Sequence, residues 1–207
     1  MMAAALAAVA RLIGGATVRS DSDLSVGGQR IYFANHSSHL DFVLIWSALP
    51  ARLRRLVRPV AGRDYWERGP VRRYLAGRVF HAILIDRGGS GSGHPMAAAR
   101  ESIQRMADGM GDRHSLIVFP EGTRSLTGDV GPFKSGLFHL ARLRPDAELM
   151  PVYLENLNRI LPKGEALPVP MLSRVVFGRR VDWHTDEDKH DFLERARAAL
   201  IQLKAAR

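Results

Sequence analysis

The sequence predicts an α/β fold: one domain over residues 1–207, in which a mostly parallel or mixed sheet is flanked by helices. Three observations predict it. Short runs rich in β-branched and large apolar residues alternate with stretches of helical periodicity. The 207 residues, 46% hydrophobic and 25% charged, suffice for one well-buried core. No internal repeat and no interdomain linker divides the chain.

In chain order, Ala3–Ile13 is apolar apart from Arg11, and Leu6, Val9, Leu12 and Ile13 recur at helical spacing. This short helix either lies on a membrane surface or packs on the domain. At about 1.5 Å rise per residue it is far shorter than the roughly 20 residues a membrane span needs, so no transmembrane segment is expected. Arg11 follows the apolar stretch instead of preceding it, so neither is a signal peptide. Strands are expected at Ile31–Ala34, Val57–Val60, Ala82–Ile85, Leu116–Phe119, Leu149–Leu154 and Arg174–Phe177. A helix through Leu40–Ala48, capped by Ser38, turns Leu44 and Leu49 to the core. Pro95–Met110 sets Met96, Ala99, Ile103, Met106 and Met110 on one face, and Asp191–Lys204 does the same with Leu193, Ala196, Leu200 and Leu203. Gly88–Gly93 reads as a loop.

Composition excludes several chemistries. With no cysteine there is no disulfide, thiolate nucleophile or thiolate-bound metal. The formal charge of +9 calls for an anionic partner, and most of the excess is local: residues 51–80 hold nine arginines against Asp64 and Glu67. Arg52–Arg58, with Leu53, Leu56 and Val57 interleaved, suits anionic headgroups, each basic residue contributing about 1 kcal/mol near such a surface. The alternative is a solvated charge run. No nucleic-acid reading motif and no series of stacking aromatics accompanies the charge, so no nucleic acid is expected.

Two motifs carry the chemistry. Asn35-His36-Ser37-Ser38-His39-Leu40-Asp41 follows a strand and enters a helix. An aspartate in the first helical turn can accept the imidazole Nδ1 proton of His36, leaving Nε2 to take a hydroxyl proton as a general base. His39 is the rival histidine. Metal-cluster spacing would want histidines where Ser37 and Phe42 stand, so no metal is assigned. The second motif, Phe-Pro-Glu-Gly-Thr-Arg-Ser at 119–125, places an acid, a flexible glycine and a fixed cation in one loop after a strand. Gly122 permits close backbone approach to a ligand, and Arg124 offers a bidentate fork to phosphate. Lys134 adds charge to the same pocket; Phe133 stands where a nucleotide-binding P-loop needs glycine. No Gly-x-Ser-x-Gly elbow occurs, so direct attack by a substrate hydroxyl, with no covalent enzyme intermediate and no cofactor, is the simpler chemistry. Base and anion loop together suit the transfer of an acyl group to a phosphate-bearing alcohol.

The pair of motifs, in this order and over residues 30–155, resembles the glycerolipid acyltransferases, notably the 1-acylglycerol-3-phosphate acyltransferases. The resemblance implies His36 as base, Asp41 as its partner, and Arg87, Glu121, Gly122, Thr123 and Arg124 lining an acceptor site. Ile83-Leu84-Ile85-Asp86-Arg87 looks like the family's second block, and Met150-Pro151-Val152 like the fourth, linked to the acyl side. Arg63 stands where many members carry a lysine near the phosphate. The implied donor is acyl-CoA or acyl carrier protein, the implied acceptor lysophosphatidate, and the implied location the cytoplasmic face of a membrane, bound peripherally. Backbone amides at residues 38–41 are candidates to stabilise the developing oxyanion. Other readings are an acyltransferase acting on glycerol-3-phosphate, another lysophospholipid or a lyso-aminolipid, and a non-catalytic basic module that binds membrane or nucleic acid.

Overall fold

The structure is a computed structural model and describes residues 6–11, 15–24, 28–38, 41–86, 95–125, 127–156 and 173–205. Seven strands form one sheet in the order β1-β7-β6-β2-β5-β3-β4. They are β1 (Thr17–Ser20), β2 (Arg30–Ala34), β3 (Val57–Gly62), β4 (Ile83–Ile85), β5 (Ser115–Val118), β6 (Glu148–Glu155) and β7 (Arg174–Phe177). Every neighbouring pair is parallel except β6 with β7. Six strands lie within one or two residues of their expected bounds. The exception, β1, lacks an apolar run because all four of its residues are exposed at the sheet edge, where backbone pairing to β7 and the Thr17 hydroxyl on the Ser173 carbonyl hold it.

The central strands β2 and β5 are buried on both faces, so they read as unbroken apolar runs instead of alternating ones. Tyr32, Ala34 and Ile117 point to one half of the core, Ile31, Phe33, Leu116 and Val118 to the other. The first half is covered by helical residues 6–11 (α1), α2 (Asp41–Ala48) and the aromatic cluster of Phe42, Trp46, Trp66 and Phe80. The described part of α1 packs on the domain: Ala7 is buried, and Arg11 Nε donates to the Ser47 carbonyl at 2.7 Å. The second half is covered by α6 (Pro95–Met110), α7 (Gly136–Leu143) and α8 (Lys189–Ala205). Leu193, Ala196 and Leu200 of α8 are core residues, as the periodicity requires. In α6, Ile103, Met106 and Met110 pack inward, but Met96, 74% exposed, and Ala99, also exposed, do not join the core.

Between β3 and β4 the chain builds a lobe the periodicity did not reveal: α4 (Arg63–Trp66), α5 (Pro70–Tyr74) and a π-helical turn at Leu75–Val79 closed by Phe80 N–H to Leu75 O at 2.9 Å. These pieces are too short to show an amphipathic stripe. Before them, α3 (Ala51–Arg54) caps the same side. Two of the four arginines in the Arg52–Arg58 run are structural, while Arg52 and Arg55 are exposed. Arg54 stacks over Trp46 and donates to the Leu49 carbonyl, Arg58 donates to the Gly109 carbonyl, and Val57 is buried. Among the described residues no helix is long and apolar enough to cross a membrane.

The central feature for function is where β2 and β5 end. They are parallel neighbours in register, Phe33 opposite Val118, and the chain leaving β2 enters α2 on one face while the chain leaving β5 proceeds to α7 on the other. In open parallel sheets such a divergence opens a crevice beyond the carboxyl ends of the strands. Asn35 fixes the exit from β2. Its Nδ2 donates to Leu154 O at 2.9 Å and its Oδ1 accepts Leu154 N–H at 2.8 Å, extending the β2–β6 ladder with a side chain. Replacing Asn35 with Ala orphans both backbone groups of Leu154 in a dry setting, at about 1–3 kcal/mol for each buried group left unsatisfied. Urea titration of Asn35→Ala is expected to show a loss of about 2–4 kcal/mol with an unchanged m-value.

Candidate active site

His36 is the second residue beyond β2, and α2 begins at Asp41. Residues 35–38 therefore form a short bend over the helix N-terminus, where the Asp41 carboxylate reaches back into the orphan donors. Its Oδ2 accepts the backbone N–H groups of Ser37 at 2.6 Å and Ser38 at 2.9 Å, and lies 2.8 Å from His36 Nδ1. Asp41 is fully buried and His36 is nearly so, leaving the imidazole one accessible edge. A carboxylate accepts from Nδ1–H, which assigns the tautomer and leaves Nε2 as the free lone pair. The imidazole also stacks on Phe119, with ring centroids 4.3 Å apart and planes inclined by 21°.

The loop after β5 is tied to this bend at two points. Ser125 N–H donates to the His36 carbonyl at 2.7 Å. Glu121 faces inward: Oε1 accepts His36 N–H at 2.9 Å and Oε2 accepts Gly131 N–H at 3.0 Å. The expectation for Glu121 was an acceptor-site lining, yet the side chain is 6% exposed and braces three backbone segments against one another. Burial raises its pKa above the ordinary carboxylate value, and the two N–H donors oppose that rise. The Glu121 and Ser125 links escape sequence reading because nothing in the one-dimensional pattern says which way a loop carboxylate turns.

Beside the imidazole opens a cavity of about 400 Å³ between the sheet and helices α6 and α7. His36, Phe119, Gly122 and Lys134 contribute to it, together with Asp86 and Gly62. Successive turns of α6 supply Ala98, Ala99, Ser102, Ile103 and Met106, and α7 supplies Leu137 and Leu140. The lining is an apolar slot with an imidazole and a lysine at its wall. Gly122 adopts φ +67°, and a Cβ there would come within 2.9 Å of Lys134 Nζ, so the missing side chain lets the lysine lie across the loop.

The remaining expected site residues fall as follows. Thr123 is exposed and Arg124 half-buried in the loop pinned by Ser125, and among the described residues Arg124 makes no ion pair. Arg63 is at the rim but occupied: it pairs with Glu67 at 2.6 Å and Asp86 at 3.2 Å, and these acids raise its pKa. Arg87, His39 and the Gly88–Gly93 loop lie outside the described residues. Met150-Pro151-Val152 sits in β6 beside β2, with Met150 and Val152 in the core and away from the cavity wall. The amides of Ser37, Ser38 and Asp41 already bond Asp41 Oδ2 or the Ser38 carbonyl, so these three do not serve as oxyanion donors in this arrangement.

With this geometry in view, residues 15–155 match the protein family described as Acyltransferase. The chain belongs to the acyltransferase family. Similar acyltransferases include a 1-acyl-sn-glycerol-3-phosphate acyltransferase of Limnanthes douglasii, 32% identical over 148 residues that cover 68% of this chain and 47% of the relative. Another, of Cocos nucifera, is 29% identical over 180 residues, covering 83% of this chain and 52% of the relative. The chain thus spans about half the length of the curated relatives it matches. The fold is similar to that of the 1-acyl-sn-glycerophosphate (LPA) acyltransferase PlsC of Thermotoga maritima: TM-score 0.70 at 21% identity, covering all of this chain and 79% of that one.

For this acyltransferase-family chain, Glu121→Gln is expected to turn an amide NH₂ against one of the two backbone donors. A buried donor left unmatched costs about 1–3 kcal/mol, or roughly 3–10 °C in Tm for a chain of this size. The sign of the pH effect follows from the raised pKa. The ionised carboxylate is less favourable in the folded than in the unfolded chain, so stability falls as pH rises from the ordinary glutamate pKa through the raised one. Thermal melts across that window should show the slope in the wild type and lose it in Glu121→Gln.

Proposed function

We propose that the protein transfers a fatty acyl chain from an acyl thioester to the free hydroxyl of 1-acylglycerol-3-phosphate, giving phosphatidate. The observation that carries this reading is the His36 Nδ1 to Asp41 Oδ2 contact at 2.8 Å, opening on an apolar cavity with a lysine on its wall. The slot lined by Ile103, Met106, Val118, Leu137 and Leu140 is apolar enough for a hydrocarbon chain, whose thioester carbonyl is proposed to face the imidazole. The proposed charge partners of the acceptor phosphate are Lys134, Arg124, Arg87 and, at the rim, Arg63. Glu121, Gly122 and Thr123 shape the loop that presents them.

In this reading Nε2 of His36 removes the hydroxyl proton as the oxygen attacks the thioester carbonyl. The carbon–sulfur bond then breaks, the thiolate leaves and receives that proton from the imidazolium. Asp41 holds the imidazole and balances its transient charge, and general-base help of this kind contributes about 10²- to 10⁴-fold. Fixing the phosphate while the acyl chain is seated converts a diffusive encounter into an oriented one. Acyl-CoA and acyl carrier protein both suit as donors. An amphiphilic acceptor and a two-chain lipid product suit a reaction at a membrane, here proposed to be the cytoplasmic face, with the protein bound peripherally to anionic lipid.

Radiolabelled acyl donor incubated with a panel of acceptors tests the reading: lysophosphatidate, glycerol-3-phosphate, other lysophospholipids and a lyso-aminolipid. Phosphatidate is expected as the main product. His36→Ala and Asp41→Asn should each lower kcat by about 10²- to 10⁴-fold with little change in Tm for the histidine variant. Equal product from wild type and His36→Ala would end the assignment of the base, and product from another acceptor alone would replace lysophosphatidate. Lys134→Ala should raise the acceptor KM more than it lowers kcat.

A further inference from the structure

The charge excess that composition places in residues 51–80 resolves, in three dimensions, into a used part and an unused part. Arg54 and Arg58 are spent on backbone carbonyls, and Arg63 on two acids. Downstream, residues 68–80 hold four arginines and no acid. Arg68, Arg73 and Arg78 are exposed, and among the described residues none of the three is in an ion pair. Val71, one helical turn from Tyr74 on α5, stands 69% exposed and Tyr74 49%, among the most exposed large apolar side chains described. Arg72 lies over the ring of Tyr65, at 4.2 Å from its centroid, which holds the segment in place.

The lobe is braced against the catalytic helix. Trp66 and Phe80, at its two ends, pack on Phe42 of α2 with centroids 5.2 and 5.0 Å apart. It also begins at the cavity: Gly62 lines the cavity and Arg63 opens α4. We infer that the α5 lobe, through Arg68, Val71, Arg73, Tyr74 and Arg78, is the surface that rests on an anionic lipid bilayer, with Val71 set into the headgroup layer. Charge complementarity selects this occupant: a short run of cations around two apolar side chains matches phosphates over an apolar interior. The inference rests on the proposed lipid acceptor for its purpose, and gives the site a fixed orientation to the surface that supplies that acceptor.

The whole chain lacks cysteine, so Val71→Cys can carry a single environment-sensitive fluorophore. Mixed with vesicles of phosphatidylcholine containing about 30% phosphatidylglycerol, the labelled protein should show a blue-shifted emission that high salt reverses, while Arg142→Cys, on α7, should not. In sedimentation with the same vesicles, Arg68→Gln/Arg73→Gln/Arg78→Gln should bind about 100-fold more weakly, near fivefold per arginine, with an unchanged Tm. Acyl transfer between short-chain, monomeric substrates should stay at the wild-type rate in that variant. The inference is overturned if the triple variant sediments like wild type, if the Val71 probe is silent, or if neutral vesicles bind equally well. Binding to duplex DNA without binding to vesicles also overturns it. A wild type that binds vesicles through this lobe yet transfers no acyl group would sink the proposed reaction and leave the surface standing.

Discussion

One carboxylate oxygen organises the site. Asp41 Oδ2 gathers two backbone N–H groups and the imidazole Nδ1 on a single atom, fully withdrawn from water. In such surroundings each charge-assisted bond is stronger than it would be at the surface. The aspartate thus folds the bend, caps the helix start and holds the imidazole through the same contacts. These functions are inseparable, which is why the aspartate stands in the first turn of a helix whose residues 41–47 are all buried. An imidazole held by so constrained an element loses little freedom when a ligand arrives.

A second layer of restraint joins elements far apart in sequence. Glu121 and Ser125 bind the loop after β5 to the bend after β2, and Glu121 reaches on to Gly131. Because β2 and β5 are adjacent and parallel, their ends come together without any help from the loops. Side chains then only lock what the sheet has already aligned. Asn35 does the same on the other flank, through Leu154 of β6. The crevice is braced from both neighbouring strands, and the apolar cavity occupies the side where α6 and α7 cover the sheet.

Much of this was legible in the residues alone. Short β-rich runs located six strands, and the aspartate five positions after His36 pointed to the contact the two side chains make, since a first-turn carboxylate has only a few donors within reach. What was illegible has physical reasons. β1 is written in exposed residues, and α3 to α5 are too short to show a period. α7 did carry a readable stripe, Leu137, Leu140 and Ala141, hidden behind a glycine-rich approach. The inward turn of Glu121 depends on which backbone N–H groups tertiary packing leaves unpaired. The pairing of Arg63 depends on Asp86 arriving from the adjacent strand's end. Charge counted along the chain places the excess in residues 51–80 but does not separate an arginine lying on a carbonyl, such as Arg58, from one facing solvent, such as Arg73.

The stack of His36 on Phe119 has a further meaning for the order of events. With one nitrogen committed to Asp41 and one ring face on Phe119, the imidazole is held from two sides and turns its other nitrogen to the substrate. In the proposed reaction, the entering alcohol and the exiting sulfur therefore meet the same nitrogen in succession, and the two half-steps share a single doorway.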